Sequence, residues 1–270
     1  MAHSPRGVSR PVTIGRRIVA EFLYQARNVP LVAIRREFSI PHVAAVRAET
    51  QPRVSWIALF TRAYGLAARR HAALRRNWMS FPWPRIYEHP VSAAAVLVER
   101  ESESEDVVLG AKIHEPELMG LADIDRFIRH YQTAPVRSVS AFRQLLRIAR
   151  LPGPLRRFAF WAALHWSGYR RCRRFGTFLV SSLGNFGCES TQVRMPLTGY
   201  LTFGPISADG RVSVGLTFDH RVMDGRTAAR ALEDMERILN TSLVAELWGL
   251  SLTTRSAGRA PAAAESVIAG

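Results

Sequence analysis

Residues 199 to 239 constrain the fold more tightly than any other stretch of the 270-residue chain. Gly199 to Ile206 reads as a strand, and Ala208-Asp209-Gly210-Arg211 marks a tight hairpin turn. On the return strand Val212, Val214, Leu216 and Phe218 alternate with Ser213, Gly215 and Thr217. A period of two places the apolar set on one face of a sheet. From about Arg226 to Leu239 the period changes, and Ala228, Leu232, Met235 and Leu239 recur as the inward stripe of a helix. The chain here is committed to a β-hairpin that runs directly into a helix.

Upstream, Ile14, Ile18, Phe22 and Leu23 predict a helix over Ile14 to Ala26, stopped by Pro30. A strand is expected over Leu31 to Ile40 and a helix over Ser55 to Arg75. Phe81-Pro82-Trp83-Pro84 reads as a rigid loop, Val91 to Val98 and Val107 to Ile113 as strands, and acidic Glu99 to Asp106 as a solvated turn. Glu117 to His130 reads as a helix and Thr177 to Ser182 as a strand. Residues 1–12 are expected to be a flexible arm, and 251–270, dominated by small residues, a disordered tail. Between them, 13–250 form the expected single domain.

Segment 135–174 differs in composition, with arginine and tryptophan concentrated around Phe158 to Trp166. One reading is a helix buried in the core or against a partner subunit. The other is a membrane-surface helix whose flanking Arg156, Arg157, Arg170, Arg171, Arg173 and Arg174 meet anionic headgroups. The apolar stretch lacks a clean polar face, which favours packing.

The overall composition, 47% hydrophobic and 22% charged, excludes a mainly disordered chain. Two cysteines, Cys172 and Cys188, cannot build a disulfide framework or a Cys-based zinc site, and the histidines show no metal-ligand spacing. No apolar run approaches the ~18 residues needed to cross a bilayer, and Glu21 interrupts the one candidate leader, so the expectation is a cytoplasmic protein. A net charge of +15 favours anionic partners such as a phosphate-bearing coenzyme A. Without a recognisable nucleic-acid module, nucleic acid is not expected as the partner.

Where the hairpin ends and the helix begins lies Asp219-His220-Arg221-Val222-Met223-Asp224-Gly225. A histidine at a strand end reaches into a cleft and can take a proton from a thiol, hydroxyl or amine near neutral pH. This string resembles the active-site motif of the dihydrolipoamide acyltransferases, the catalytic domains of 2-oxo acid dehydrogenase complexes. Gly176-Thr177-Phe178-Leu179-Val180-Ser181-Ser182-Leu183-Gly184 is similar to a second block of that family, and Arg16-Arg17-Ile18-Val19-Ala20 to its opening helix. The resemblance runs in order over roughly residues 13 to 240.

The resemblance implies a two-layer mixed sheet with helices, of the chloramphenicol-acetyltransferase type, in a homotrimer or an oligomer of trimers. It implies His220 as general base, Ser181 as donor to the oxyanion, and Asp224 as a structural acid paired with Arg16. A one-residue slip would exchange Ser181 for Ser182. The implied reaction is direct acyl transfer from a coenzyme A or lipoyl thioester, with no metal. Lys112, the sole lysine, lies in no lipoyl-type turn, which points to a stand-alone acyltransferase; the alternative is a catalytically retired homologue acting as a scaffold or assembly subunit.

Overall fold

The computed structural model describes residues 7–102, 105–190 and 194–257. The hairpin forms at the centre of a six-stranded sheet, as β7 (Gly199–Phe203) and β8 (Arg211–Asp219). Its turn depends on Gly210, whose φ of 79° suits glycine and whose missing Cβ would lie 2.7 Å from Pro41 Cα. Beside β8 runs β1 (Leu31–Ser39). Beside β7 run β6 (Phe178–Ser182), β4 (Ala93–Ser102) and β5 (Glu105–His114), giving the order β1-β8-β7-β6-β4-β5. The β4–β6 and β6–β7 pairs are parallel and the others antiparallel, so the sheet is mixed. A small separate ribbon joins β2 (Arg76–Met79) to β3 (Arg85–Glu88).

One face of the sheet is covered by α3 (Trp56–Arg70), α4 (Leu121–Thr133) and α8 (Gly225–Asn240), with α2 (Pro41–Glu49) and α9 (Ser242–Ala257) packed outside them. Phe38, Phe178, Val180, Leu216 and Phe218 from the strands meet Phe60, Tyr64, Leu232 and Met235 from the helices in the main core. The opposite face carries α1 (Ile14–Ala26), α5 (Ser140–Ala149), α6 (Gly153–His165) and α7 (Gly168–Phe175) over β4, β5 and β6. The mixed sheet with helices is as expected, but helices cover both of its faces rather than forming a single second layer.

Several local expectations are corrected. Glu99 to Asp106 is not one solvated turn. Glu99 pairs with Val108 and Arg100 with Val107, and the hairpin narrows to Ser102 opposite Glu105, because cross-strand pairing carries polar residues along the ladder. The tail expected from 251 is helical as far as Ala257, and the rest of it lies outside the described residues. Of the proposed arm, residues 7–12 have no regular structure and 1–6 lie outside the described residues.

Segment 135–174 forms α5, α6 and α7. Phe160, Ala163 and Leu164 are buried, whereas Phe158 and Trp166 remain exposed. Two of the arginines assigned to headgroups point inward instead. Arg156 donates to buried Glu21 at 3.0 Å, and buried Arg171 donates to the Trp78 carbonyl at 2.8 Å and the Pro196 carbonyl at 2.6 Å. These arginines knit the segment into the domain. Among the described residues no helix is long and apolar enough to cross a membrane.

Candidate active site

The strand-to-helix connection after β8 is held by a carboxylate fork. Buried Asp219 accepts from the Arg221 backbone N–H at 3.0 Å and from its guanidinium at 2.9 and 2.7 Å. Its carbonyl accepts from the amides of Val222 and Met223, closing a turn around His220. The His220 amide donates to the Pro30 carbonyl at 2.9 Å, which fastens the turn to the segment between α1 and β1. The imidazole itself is exposed, with Nδ1 at 3.0 Å from the Met223 carbonyl. A carbonyl can only accept, so in the neutral ring Nδ1 carries the proton and Nε2 the lone pair.

Asp224 does different work from that expected. It is the N-cap of α8, and its Oδ1 accepts from the Thr227 amide at 2.7 Å. That hydrogen bond, helped by the Thr227 hydroxyl, holds the carboxyl below its ordinary range. Arg16 is exposed on the first turn of α1, and no ion pair joins it to Asp224 among the described residues. The reason is local: the first amides of a helix lack partners, and a carboxylate immediately before them satisfies that need. Gly225 is the first residue of α8 and has no left-handed φ.

Ser181 and Ser182 lie at the end of β6 and behave differently. Ser182 Oγ donates to the Phe203 carbonyl at 2.9 Å and accepts from the Gly184 amide at 3.1 Å, so its hydroxyl is used to close the next turn. Ser181 is half-buried on the opposite face, near the hydroxyl of buried Tyr200. The Gly176-Thr177-Phe178 block also has a physical role. Gly176 ends α7 with φ 89°, where a Cβ would meet the Ala93 carbonyl at 2.7 Å. Thr177 Oγ1 then bridges the Ala93 amide and carbonyl, which sets β6 against β4.

The ladder registers fix how far Ser181 lies from His220. Ser181 is opposite Thr202, which is opposite Gly215, five residues before His220. At about 3.3 Å per residue and about 4.8 Å per strand, the two α-carbons are roughly 19 Å apart. Because β6 and β8 run in opposite directions, each residue sits at its own end of the sheet. A single chain does not bring them together.

Beside the His220 turn opens a cleft of about 800 Å³ between the end of α1 and α6, lined in part by Arg27, Arg157 and Arg221. Arg27 and Arg157 both stack on Tyr24, at 4.0 and 3.7 Å from the ring centroid, and Arg221 lies over Trp78 at 5.1 Å. His165, also in its wall, is 2.9 Å from Ser80 Oγ. Burial, with Arg171 and Arg221 nearby, pushes His165 down to about 4, so it is neutral at neutral pH. Asp219 and Arg221 belong to the motif without a role of their own in the sequence, and Tyr200 and His165 lie outside it. The acid and base two apart at a strand end were the one available signal for Asp219 and Arg221. Cys172 is buried, takes a hydrogen bond from Asn77 and is pushed up to about 11 by burial, so it is an unreactive thiol. Among the described residues no group of acids, histidines and cysteines is placed to hold a metal.

Residues 174–246, which span Ser181, His220 and Asp224, match the family 2-oxoacid dehydrogenases acyltransferase (catalytic domain). No curated protein matches the sequence significantly. The fold is similar to a probable dihydrolipoamide acetyltransferase from Listeria monocytogenes, with TM-score 0.61 and 18% identity over 91% of this chain and 96% of that one. It is similar to the dihydrolipoamide acetyltransferase of Azotobacter vinelandii, with TM-score 0.65 and 17% identity over 90% and 94%. A cubic core of a pyruvate dehydrogenase multienzyme complex gives TM-score 0.64 and 16% identity over the same shares. Residues 174–246 thus match the catalytic-domain model of the 2-oxoacid dehydrogenases acyltransferase family, and the chain as a whole shares the fold of the dihydrolipoamide acetyltransferase structures it is similar to.

Proposed function

We propose that the chain transfers acyl groups from a thioester to an acceptor, with His220 as general base and Ser181 as donor to the oxyanion. The observation that carries this reading is the state of His220: Nδ1 is committed to the Met223 carbonyl, and Nε2 is left with its lone pair at an exposed strand end. Nε2 takes the proton of the acceptor thiol or hydroxyl as that atom attacks the thioester carbonyl. Ser181 donates to the oxygen that becomes negative in the tetrahedral intermediate. The carbon–sulfur bond of the donor then breaks, and the departing thiolate takes the proton back from His220. In the Azotobacter vinelandii enzyme a serine, a histidine and an asparagine four positions after it have been investigated for their role in catalysis. Asp224 stands four positions after His220 here, and its capping of α8 steadies the turn that carries the base.

The separation of Ser181 and His220 supports a site completed by a neighbouring subunit. One chain meets another so that His220 of the first faces Ser181 of the second. Threefold axes are part of the symmetry of a cubic core such as that of the pyruvate dehydrogenase complex, and a trimer supplies three such interfaces. The arginine-lined cleft beside the His220 turn suits a phosphate-bearing donor such as coenzyme A. Lys112 lies within β5 rather than in an exposed turn, so it is not placed to carry a lipoyl group.

Subunit complementation tests the reading. His220→Ala and Ser181→Ala should each lower transfer by ~100-fold or more, the usual size of losing such a group. Dissociated together and reassembled in equal amounts, the two dead variants should regain about a quarter of the wild-type sites in random trimers. Subunits shown to have exchanged, yet no more active than either variant alone, would refute the shared site. Undiminished transfer by His220→Ala would refute the base.

A further inference from the structure

The sheet face opposite the main core encloses a second space, about 460 Å³ in volume, that the chemistry above does not use. Leu97, Gly110 and Leu179 form part of its floor, and Phe22, Ile148 and Phe160 part of its roof. The roof comes from α1, α5 and α6, so the tryptophan- and arginine-rich segment helps to build this chamber. A volume of 300–1,000 Å³ with mostly apolar walls is typical of a small-molecule site.

Strand register connects the chamber to Ser181. Val96 lies beside Val180 in the last registered pair of the parallel β4–β6 ladder, and Leu97 and Ser181 are the residues that follow on the two strands. Ser181 also points to the same face as Leu179, two residues earlier. The chamber floor therefore begins one strand from the Ser181 hydroxyl. Leu97 is in turn opposite Gly110 on β5, so the line from Ser181 to Gly110 crosses two strand spacings, about 10 Å. At Gly110 the floor is bare: a Cβ there would meet only the Ala95 Cβ, at 3.9 Å.

We propose that this chamber holds the alkyl chain of the acyl group, with the thioester carbonyl at Ser181 and the chain laid across Leu97 and Gly110. The inference rests on the acyl-transfer reading and adds the substrate class to it: linear, uncharged acyl groups of medium length. If each methylene takes up about the ~30 Å³ of a water molecule in the liquid, the chamber accepts on the order of ten to fifteen carbons. Lys112, Arg174 and Arg194 line one side of the space, and none of them forms an ion pair among the described residues. A chain ending in a carboxylate would be drawn to them. The larger share of the wall is apolar, and it favours the plain chain.

The probes are thioethers of N-acetylcysteamine carrying ethyl, octyl, dodecyl or 7-carboxyheptyl groups, titrated calorimetrically against the assembled protein. They carry no phosphates and cannot react, so they read the chain alone. Affinity for wild type should rise about two- to fourfold per added methylene and level off in the range of ten to fifteen carbons. Gly110→Phe places a ring about 10 Å from Ser181, so with bonds of about 1.5 Å in zigzag the gain should stop near eight carbons. Gly110→Ala should keep the wild-type profile, and ethyl binding should be the same in all three.

A wild type with no chain-length dependence overturns the proposal. So does a Gly110→Phe protein, shown to fold by its melt, that binds the dodecyl probe as wild type does. A tighter grip on the carboxyheptyl than on the octyl probe would overturn the choice of an uncharged chain. Assembly that buries the chamber would appear as dodecyl binding only to dissociated subunits, and would equally overturn it. The acyl-transfer reading is judged separately, by the loss of acetyl transfer in His220→Ala. Chain-length selectivity can fail while that result stands, and the reverse.

Discussion

Arg156→Ala should be among the most destabilising single changes on the surface of α6, because it strands a charge inside the protein. Glu21 is 2% exposed on α1, and its Oε1 accepts from Arg156 Nε at 3.0 Å. Its other oxygen has no hydrogen-bond partner, and Arg157 is 3.9 Å away. Arg156 also reaches the Leu151 carbonyl at 3.1 Å, so the guanidinium joins α6, α1 and the turn between α5 and α6. Removing one member of a buried pair costs about 3–5 kcal/mol, since the remaining carboxylate stays desolvated without its counter-charge. At about 2–4 °C per kcal/mol for a chain of this size, the melting temperature should fall by roughly 6–20 °C. The double variant Glu21→Leu with Arg156→Met removes both charges and should recover most of that loss. The assay is thermal and urea unfolding at one fixed protein concentration, because subunit association contributes to apparent stability. A single variant within about 1 kcal/mol of wild type, or a double variant no better than the sum of the singles, would refute the coupling.

The His165 imidazole, kept neutral by burial and by Arg171 and Arg221, should make stability depend on pH. Its folded value of about 4 lies below the unfolded value of 6.5, so below pH 6.5 the unfolded chain takes up a proton that the folded chain refuses. Stability should therefore fall between pH 6.5 and about 4, and His165→Gln should flatten that slope in melts across the range; an unchanged slope would remove His165 from the account. Asp224→Ala should lower the melting temperature at pH 7 by uncapping α8, and Asp224→Asn should restore most of it, since an amide oxygen also caps. Because the Asp224 carboxyl is held low, the extra contribution of its charge is present above the ordinary value of 3.8 and is lost as pH falls through the folded one, so the gap to Asp224→Ala should narrow in acid. A gap of unchanged size there would mean that ionisation of Asp224 adds nothing to the cap.

What could be read from the sequence alone was whatever repeats over a few residues. The helix expected over Ile14 to Ala26 has those ends, and β1, β7, β8 and α8 fall within a few residues of expectation, because periods of 2 and 3.6 are local signals. The Asp219 to Gly225 string was legible for the same reason: strand, turn and helix start lie next to one another in the chain. Short or mixed elements were not. The α2 helix and the β2–β3 ribbon carry little periodic signal, and their residues are ordered by contacts made elsewhere. The pairing of Asp224 with Arg16 was expected from resemblance and gave way to a cap three residues along the chain. Glu21 looked like an interruption of an apolar stretch, and its partner, 135 residues away, exists only in the fold. The strand order β1-β8-β7-β6-β4-β5 decides the rest. It sets Ser181 and His220 at opposite ends of one sheet, and it lays Leu97 beside Ser181 under the helices of segment 135–174. Strand order is a property of distant pairings, whose stabilisation comes from burying faces that lie far apart in the chain. No local pattern encodes which faces meet.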